Sequence, residues 1–417
     1  MGFFDEFKKA PGEHIADLCE DKLNGKDKSL GKLYSSTLEN LYEIKDSING
    51  SFIKSKLDEF VRAQNLKVGL VSAARAAQED RLDDAENIIR KTLDKKILLF
   101  DPGFVLSDPK GVSKVLKTSQ NDLVKLKINE FDRREICPAR GELFLIMGLV
   151  NTGKSFFLNH VGVSALTQKK RVLHITLEMS WKKVMRRYFQ NIFGISKHEE
   201  PQVIPIFEKD DEGNCHAITF RETVPKLTFS TPRISSIISE KLEKIKKSNK
   251  KLIVKQFPTR QLTIPQLRAF IDNLIEYYNF IPDVILIDYP DLMKIDVNNK
   301  RVHTGVVLEE IRGLGVEYNA AIVAPTQSNR EGYKTRWLSG QNTAEDHSKY
   351  ATADIVVTMN QTDEENERKI LRLFAPKVRD DTKGCKLIIS QNYSKGKFHL
   401  DSFAIRKSTE DIYNMFK

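Results

Sequence analysis

Gly148-Leu149-Val150-Asn151-Thr152-Gly153-Lys154-Ser155 stands between the apolar run Leu143-Phe144-Leu145-Ile146-Met147 and the start of an apolar helical segment, Phe156-Phe157-Leu158. The order is strand, phosphate loop, helix. Glycines at 148 and 153 let the backbone approach a triphosphate closely, and N–H groups at a helix start, lacking intrahelical partners, point at the anion. In such a loop Asn151 and Thr152 lie in the cradle, Lys154 reaches the β- and γ-phosphates, and the Ser155 hydroxyl ligates Mg²⁺. The bland alternative is a Gly-bearing turn between strand and helix. With Gly and Lys each near ~7% of residues, the pattern arises by chance in a chain this long with a probability of roughly 1–2%, and the flanks argue further against it.

Outward from the loop, composition sets bounds. A chain of 417 residues suggests two or three units with room for a buried core. Hydrophobic residues make up 40% and charged residues 30%, and no apolar run reaches the ~18 residues of a membrane span, so a globular protein with no membrane partner is expected. Met1-Gly2-Phe3-Phe4-Asp5-Glu6 lacks the basic region and apolar core of a secretory signal, and Glu6 disfavours myristoylation of Gly2. The cysteines at 19, 137, 215 and 385 form no C-x-x-C pair. They give no zinc site and fit a reduced, cytoplasmic setting. A formal net charge of +10 suits a polyanionic partner, although many basic proteins touch no nucleic acid.

From residue 1 to about 99 the spacing predicts a small helical region. One helix runs from Ser51 to Asn65 with Phe52, Ile53, Leu57, Phe60 and Val61 on one face, a second passes through Val68, Leu70, Val71 and Ala74 to Ala77, and a third carries Ala85, Ile88, Ile89 and Leu93. A helical bundle with a solvated charged face is the plain reading; a helix docking on a neighbouring copy is the sharper one. Asp101-Pro102-Gly103 and Asp108-Pro109-Lys110-Gly111 break helices and mark 100–120 as a linker. Residues 121–417 then alternate strand-like and helix-like segments, the pattern of an α/β fold with a mostly parallel central sheet. A hairpin is expected between Ile204 and Phe220, turning at Asp211–Asn214, and the last strand over Phe398–Ile405.

Ligands gather where the strands of such a sheet end, so residues closing apolar strands are the candidates for chemistry. Asp288 closes Val284–Ile287 and is placed to hold Mg²⁺ with Ser155. Glu178 closes Val172–Leu177 and has two readings, a general base for an attacking water or a helix-entry carboxylate. Gln327 follows Ala321–Ala324 and is either a γ-phosphate contact or a polar loop residue. Bond cleavage also needs positive charge at the γ-phosphate, which a second subunit often supplies. Lys377 and Arg379 follow the strand Leu371–Ala375 with one residue between them, so in an extended segment both side chains project to the same side; a surface basic pair is the alternative. Arg330, Lys334 and Arg336, with Trp337 beside them, make a basic loop able to grip a phosphate backbone or to serve as plain surface. His160 and His174 sit in apolar segments and read as core residues.

In order, these motifs resemble the RecA-type core of DnaB-like replicative helicases, in particular the phage-encoded branch. The residues that carry the resemblance are Cys137-Pro138-Ala139-Arg140-Gly141-Glu142-Leu143 before the loop, His174-Ile175-Thr176-Leu177-Glu178-Met179-Ser180, Ile287-Asp288-Tyr289, Thr326-Gln327-Ser328-Asn329-Arg330 and Lys377-Val378-Arg379, between about 120 and 405. The resemblance implies an ATP- and Mg²⁺-dependent ring, usually of six copies, that encircles and travels along single-stranded DNA, with primase or a helicase loader as further partners. It makes Glu178 the catalytic base, Asp288 the Walker B carboxylate, Gln327 the sensor, and Lys377 and Arg379 the pair that reaches into the adjacent subunit's site. Two other functions share the motifs, a recombinase-like or clock-type ATPase that does not unwind DNA and an assembly scaffold that uses nucleotide as interface glue.

Overall fold

The computed structural model describes residues 50–79, scattered positions between 81 and 92, and 122–246, 251–294, 300–328, 337–338, 347–379 and 384–405. The chain divides into two compact units, residues 1–112 and 113–417.

In the first unit α1 spans Gly50–Gln78. It is one helix where the spacing predicts two, because the stretch Asn65-Leu66-Lys67 carries no breaker and Gly69 lies inside the helix. Ala73 and Ala76 pack against Ala85 and Ile88, whereas Phe60, Val68, Leu70 and Val71 are exposed.

Among the described residues of the second unit, the short helix α2 (Asn129–Asp132) precedes β1 (Leu143–Gly148), α3 (Lys154–Thr167), β2 (Val172–Thr176), α4 (Trp181–Phe193) and the hairpin β3 (Gln202–Lys209) and β4 (Cys215–Thr223). The order continues with α5 (Ile234–Lys246), β5 (Leu252–Gln256), α6 (Ile264–Tyr278), β6 (Val284–Asp288), α7 (Lys300–Glu317), β7 (Ala321–Gln327) and α8 (His347–Thr352). It ends with β8 (Ile355–Asn360), α9 (Asp363–Glu367), β9 (Ile370–Val378), β10 (Cys385–Ser390), a 3₁₀ turn at Tyr393–Lys395 and β11 (Ser402–Ala404). The last strand is shorter than the sequence suggests, since Asn392 and Lys397 pair across the 3₁₀ turn first.

One nine-stranded sheet runs in the order β11-β10-β9-β8-β1-β7-β6-β2-β5. The strands from β8 to β5 are mutually parallel, and β9, β10 and β11 join antiparallel. β1 is central and wholly buried. Its alternation explains why: Phe144 and Ile146 enter the core beneath α3 and α4, while Leu143, Leu145 and Met147 enter the core beneath α6 and α7. Helix starts are locally encoded. Ser180 accepts from the Lys183 N–H at the start of α4, and Thr263 with Gln266 forms a reciprocal capping box on α6.

The β3–β4 hairpin stands outside the main sheet. Phe207 and Cys215 seat it against Ile370, Ile388 and Phe403 of the antiparallel strands. Among the described residues no helix is long and apolar enough to cross a membrane.

Candidate nucleotide site

The ends of β1, β2, β6 and β7 meet at one edge of the sheet, and the register makes Gly148 level with Gln327 and Thr176 level with Asp288. A cavity of about 270 Å³ opens there, lined by Asn151, Gly153, Lys154, Ser155, Glu178, Asp288 and Gln327. Gly148 and Thr152 complete the loop. A Cβ on Gly148 would meet the Thr152 hydroxyl at 2.6 Å. Gly153, at φ 93°, takes the left-handed conformation that ends the loop and lets α3 begin at Lys154.

The Lys154 ammonium donates to the carbonyls of Gly148 (3.0 Å) and Leu149 (2.5 Å), and the Thr152 hydroxyl donates to Leu149 O (2.9 Å). Burial lowers the Lys154 pKa to about 8, against the pull of Glu178 and Asp288. Asp288 is raised to about 6, by burial first, with the Glu178 charge adding and a hydrogen bond from Ser155 opposing. Its Oδ2 is buried without a partner, as are the hydroxyls of Thr326 and Ser328. A buried carboxylate oxygen left open beside a serine hydroxyl fits a hard divalent cation. Among the described residues no group of three or more His, Cys, Asp or Glu side chains could hold a metal unaided, so such a cation would complete its shell with phosphate and water, as Mg²⁺ prefers.

Glu178 is presented by a tight turn. The Thr176 hydroxyl accepts from Met179 N (3.1 Å) and donates to Met179 O (2.8 Å), while Leu177 N is tied to Asp288 O (2.7 Å). β2 and β6 therefore deliver their carboxylates as a unit.

Two residues at the pocket escape the sequence reading. Arg187 of α4 lines it, stacks at 4.1 Å over the Phe156 ring, and is lowered in pKa by burial against the attraction of Asp288. Tyr393, outside the pocket lining, stacks on the Phe156 ring at 4.2 Å, and its hydroxyl accepts from Gln391 (2.7 Å) and donates to Thr152 O (3.3 Å). Arg187 had a signal: it lies three residues after Val184 and next to Tyr188, both buried on α4, so helical spacing places it at the border of the inward face.

Lys377 and Arg379 are not gathered into this pocket. Lys377 lies within β9, level with Val356 at the start of β8, and donates to Tyr350 O (2.7 Å) and Ala351 O (2.8 Å). Arg379 pairs with Asp354 just before β8. Both therefore sit at the opposite edge of the same sheet. Arg330, Lys334 and Arg336 lie outside the described residues. His160 and His174 are buried core residues, each lowered by burial to about 3, with His174 against the Tyr188 hydroxyl at 3.0 Å.

Residues 124–369 match the family model of the DnaB-like helicase C-terminal domain. The chain belongs to that family. A DnaB-like replicative helicase of Enterobacteria phage T4 is 25% identical over 256 residues, which are 60% of this chain and 48% of that protein. The chain thus spans about half the length of the curated relative it matches. Among solved structures, a DnaB-like replicative helicase described with its interactions with primase aligns with a TM-score of 0.57 and 14% identity, over 85% of this chain and 81% of that one. A solved ATPase domain aligns with a TM-score of 0.54 and 16% identity, over 70% of this chain and 96% of that one. At such identities the two structures speak for the RecA-like fold of the family's ATPase core, with its mostly parallel sheet.

Proposed function

We propose that the chain is the motor of an ATP-driven replicative DNA helicase, assembling as a ring of about six copies and moving along single-stranded DNA. Family membership supports the class. The observation that carries the reading is a half-built site. Lys154, Ser155, Glu178, Asp288 and Gln327 line one pocket, while the basic pair suited to the γ-phosphate lies at the far edge of the same sheet. A neighbouring copy is then needed to complete the site.

In this reading Gly148, Asn151, Thr152 and Gly153 shape the loop, Lys154 holds the β- and γ-phosphates, and Ser155 and Asp288 hold Mg²⁺, which would neutralise developing phosphate charge. Glu178 takes a proton from the attacking water, Gln327 contacts the γ-phosphate or that water, and Arg187 supplies a positive charge from within the chain. The neighbour contributes Lys377 and Arg379. Arg330, Lys334 and Arg336 grip the DNA backbone. The helical region 1–99 and linker 100–120 precede the motor of 121–417. Primase or a loader is a further partner, as the primase interactions of one structural relative suggest, and the setting is the cytoplasm, that of the bacterial host if the chain is phage-encoded.

Strand displacement on a forked duplex with ATP tests the proposal, and an assembled ring that separates no strands would reject it. DNA-stimulated hydrolysis without displacement would point instead to a recombinase-like ATPase. Full function in Glu178→Gln would point to a scaffold.

A further inference from the structure

A second cavity, of about 620 Å³, opens between α3, α4 and α5 and shares no lining residue with the nucleotide pocket. Its walls are apolar, with Val163 from α3, Met185, Phe189 and Ile192 from α4, and Leu242 from α5. Nitrogen-bearing side chains collect within it: Lys127, Lys397 and the imidazoles of His160 and His399 all line it, with the two imidazole rings 5.9 Å apart. His160 Nε2 is spoken for by Leu126 O at 2.7 Å, and Lys397 donates to Asn191 Oδ1 at 2.9 Å. His399 Nε2 is buried with no hydrogen-bond partner.

This arrangement is unfavourable as it stands. Burial disfavours the charge on Lys397, and the charge of Lys127 repels it. Burial holds His399 below the ordinary imidazole range against the pull of Glu130, Asp401 and Asp132, and its Nε2 lacks a partner. An anion set among the three would screen the lysines from each other and satisfy the imidazole. Cavities of this size with apolar walls and a few convergent polar groups suit small molecules.

We infer that the cavity binds a small amphipathic anion, its apolar body of one or two rings against Met185, Phe189, Ile192 and Leu242, its carboxylate or sulfonate head among Lys127, Lys397 and His399. The occupant touches both the helix that begins at the phosphate loop and the helix that carries Arg187. The inference stands independently of the helicase reading.

The test uses the full chain with two fluorescent probes, 8-anilinonaphthalene-1-sulfonate and its uncharged relative N-phenyl-1-naphthylamine. The sulfonate should bind saturably, once per chain, and stay bound in saturating ATP. Lys397→Ala should weaken the sulfonate by about tenfold or more and leave the neutral probe nearly unchanged; Leu242→Glu should weaken both. Lys127→Ala, at an exposed position, gives the same charge test should Lys397→Ala fail to fold. Non-saturating binding, displacement by ATP, affinities unmoved by these substitutions, or equal losses of both probes in the lysine variants would each overturn the assignment.

Discussion

The two edges of the parallel sheet treat their charged groups in opposite ways. At the edge where β1, β2, β6 and β7 end, a buried Asp288 and a half-buried Lys154 share the pocket with the exposed Glu178. Lys154 leans on backbone carbonyls, Asp288 keeps one oxygen open, and both are pushed toward neutrality by burial. At the other edge Asp354 is saturated. It accepts from Leu143 N (2.9 Å), from Arg312 Nε (2.9 Å) and Nη2 (3.1 Å), and from Arg379. An edge that leaves desolvated charges open is suited to an incoming ligand, whereas an edge that closes them around a central carboxylate holds the strands in register.

The largest effect that would sharpen this contrast comes from Arg379, which belongs to the closed edge by position and to the open edge of a neighbour by proposed role. Arg379→Ala should lower ATP turnover by roughly 10³-fold or more. Nucleotide affinity and melting temperature should hardly move, because Asp354 keeps Arg312 and the Leu143 N–H. Steady-state hydrolysis set beside a thermal melt checks this; equal collapse of both would make the arginine purely structural. A monomeric preparation hydrolysing at the full rate would also break the shared-site idea.

On the open edge, Glu178→Gln should cost roughly 10²–10³-fold in turnover with nucleotide binding retained, as read by phosphate release against equilibrium binding. Asp354→Ala is the converse probe. It leaves the buried Leu143 N–H without its acceptor and should cost ~1–3 kcal/mol in chemical denaturation, with nucleotide affinity preserved. A stable Asp354→Ala protein would mean the closed edge is not what holds β1.

The smallest effect is a pH profile. Asp288 must be ionised to bind a cation and is raised to about 6, while Lys154 must be protonated to bind phosphate and is lowered to about 8. The value of kcat/KM should therefore climb as pH rises through the lower figure, level off near neutrality and fall through the upper one, by about tenfold per pH unit beyond each limb. A flat profile between pH 5 and 9 would show that these two groups do not govern capture.

Much of the open edge was legible because each of its residues closes an apolar run. Asp288 follows an unbroken apolar run, Glu178 and Gln327 follow strands that are mostly apolar, and the phosphate loop has fixed spacing. Strand order was not legible, since it depends on pairings such as β1 between β7 and β8, between residues roughly two hundred positions apart. Arg187 was hidden by composition. In a helix with Lys182, Lys183 and Arg186, one more arginine reads as solvated surface until Val184 and Tyr188 are seen to be inward. The hairpin of β3 and β4 was visible from its turn, but its seat on Phe403 and Ile388 was not, because nothing in a short amphipathic strand names the surface it covers. The length of α1 is not legible because the apolar stretches Phe52–Val61 and Val68–Ala77 read as two helices, although nothing between Arg62 and Lys67 ends a helix.

The hydrogen bond from Tyr393 to Thr152 O joins positions 241 residues apart. Synthesis runs from the amino end, so lysine, serine and both carboxylates emerge long before the phenol that props the loop from behind. A nascent chain halted at Ser390 would hold the chemistry of the site without the brace that sets its shape. The groups of the site and the brace behind its loop are thus made at different times, and the contact that joins them forms only once residue 393 has been added.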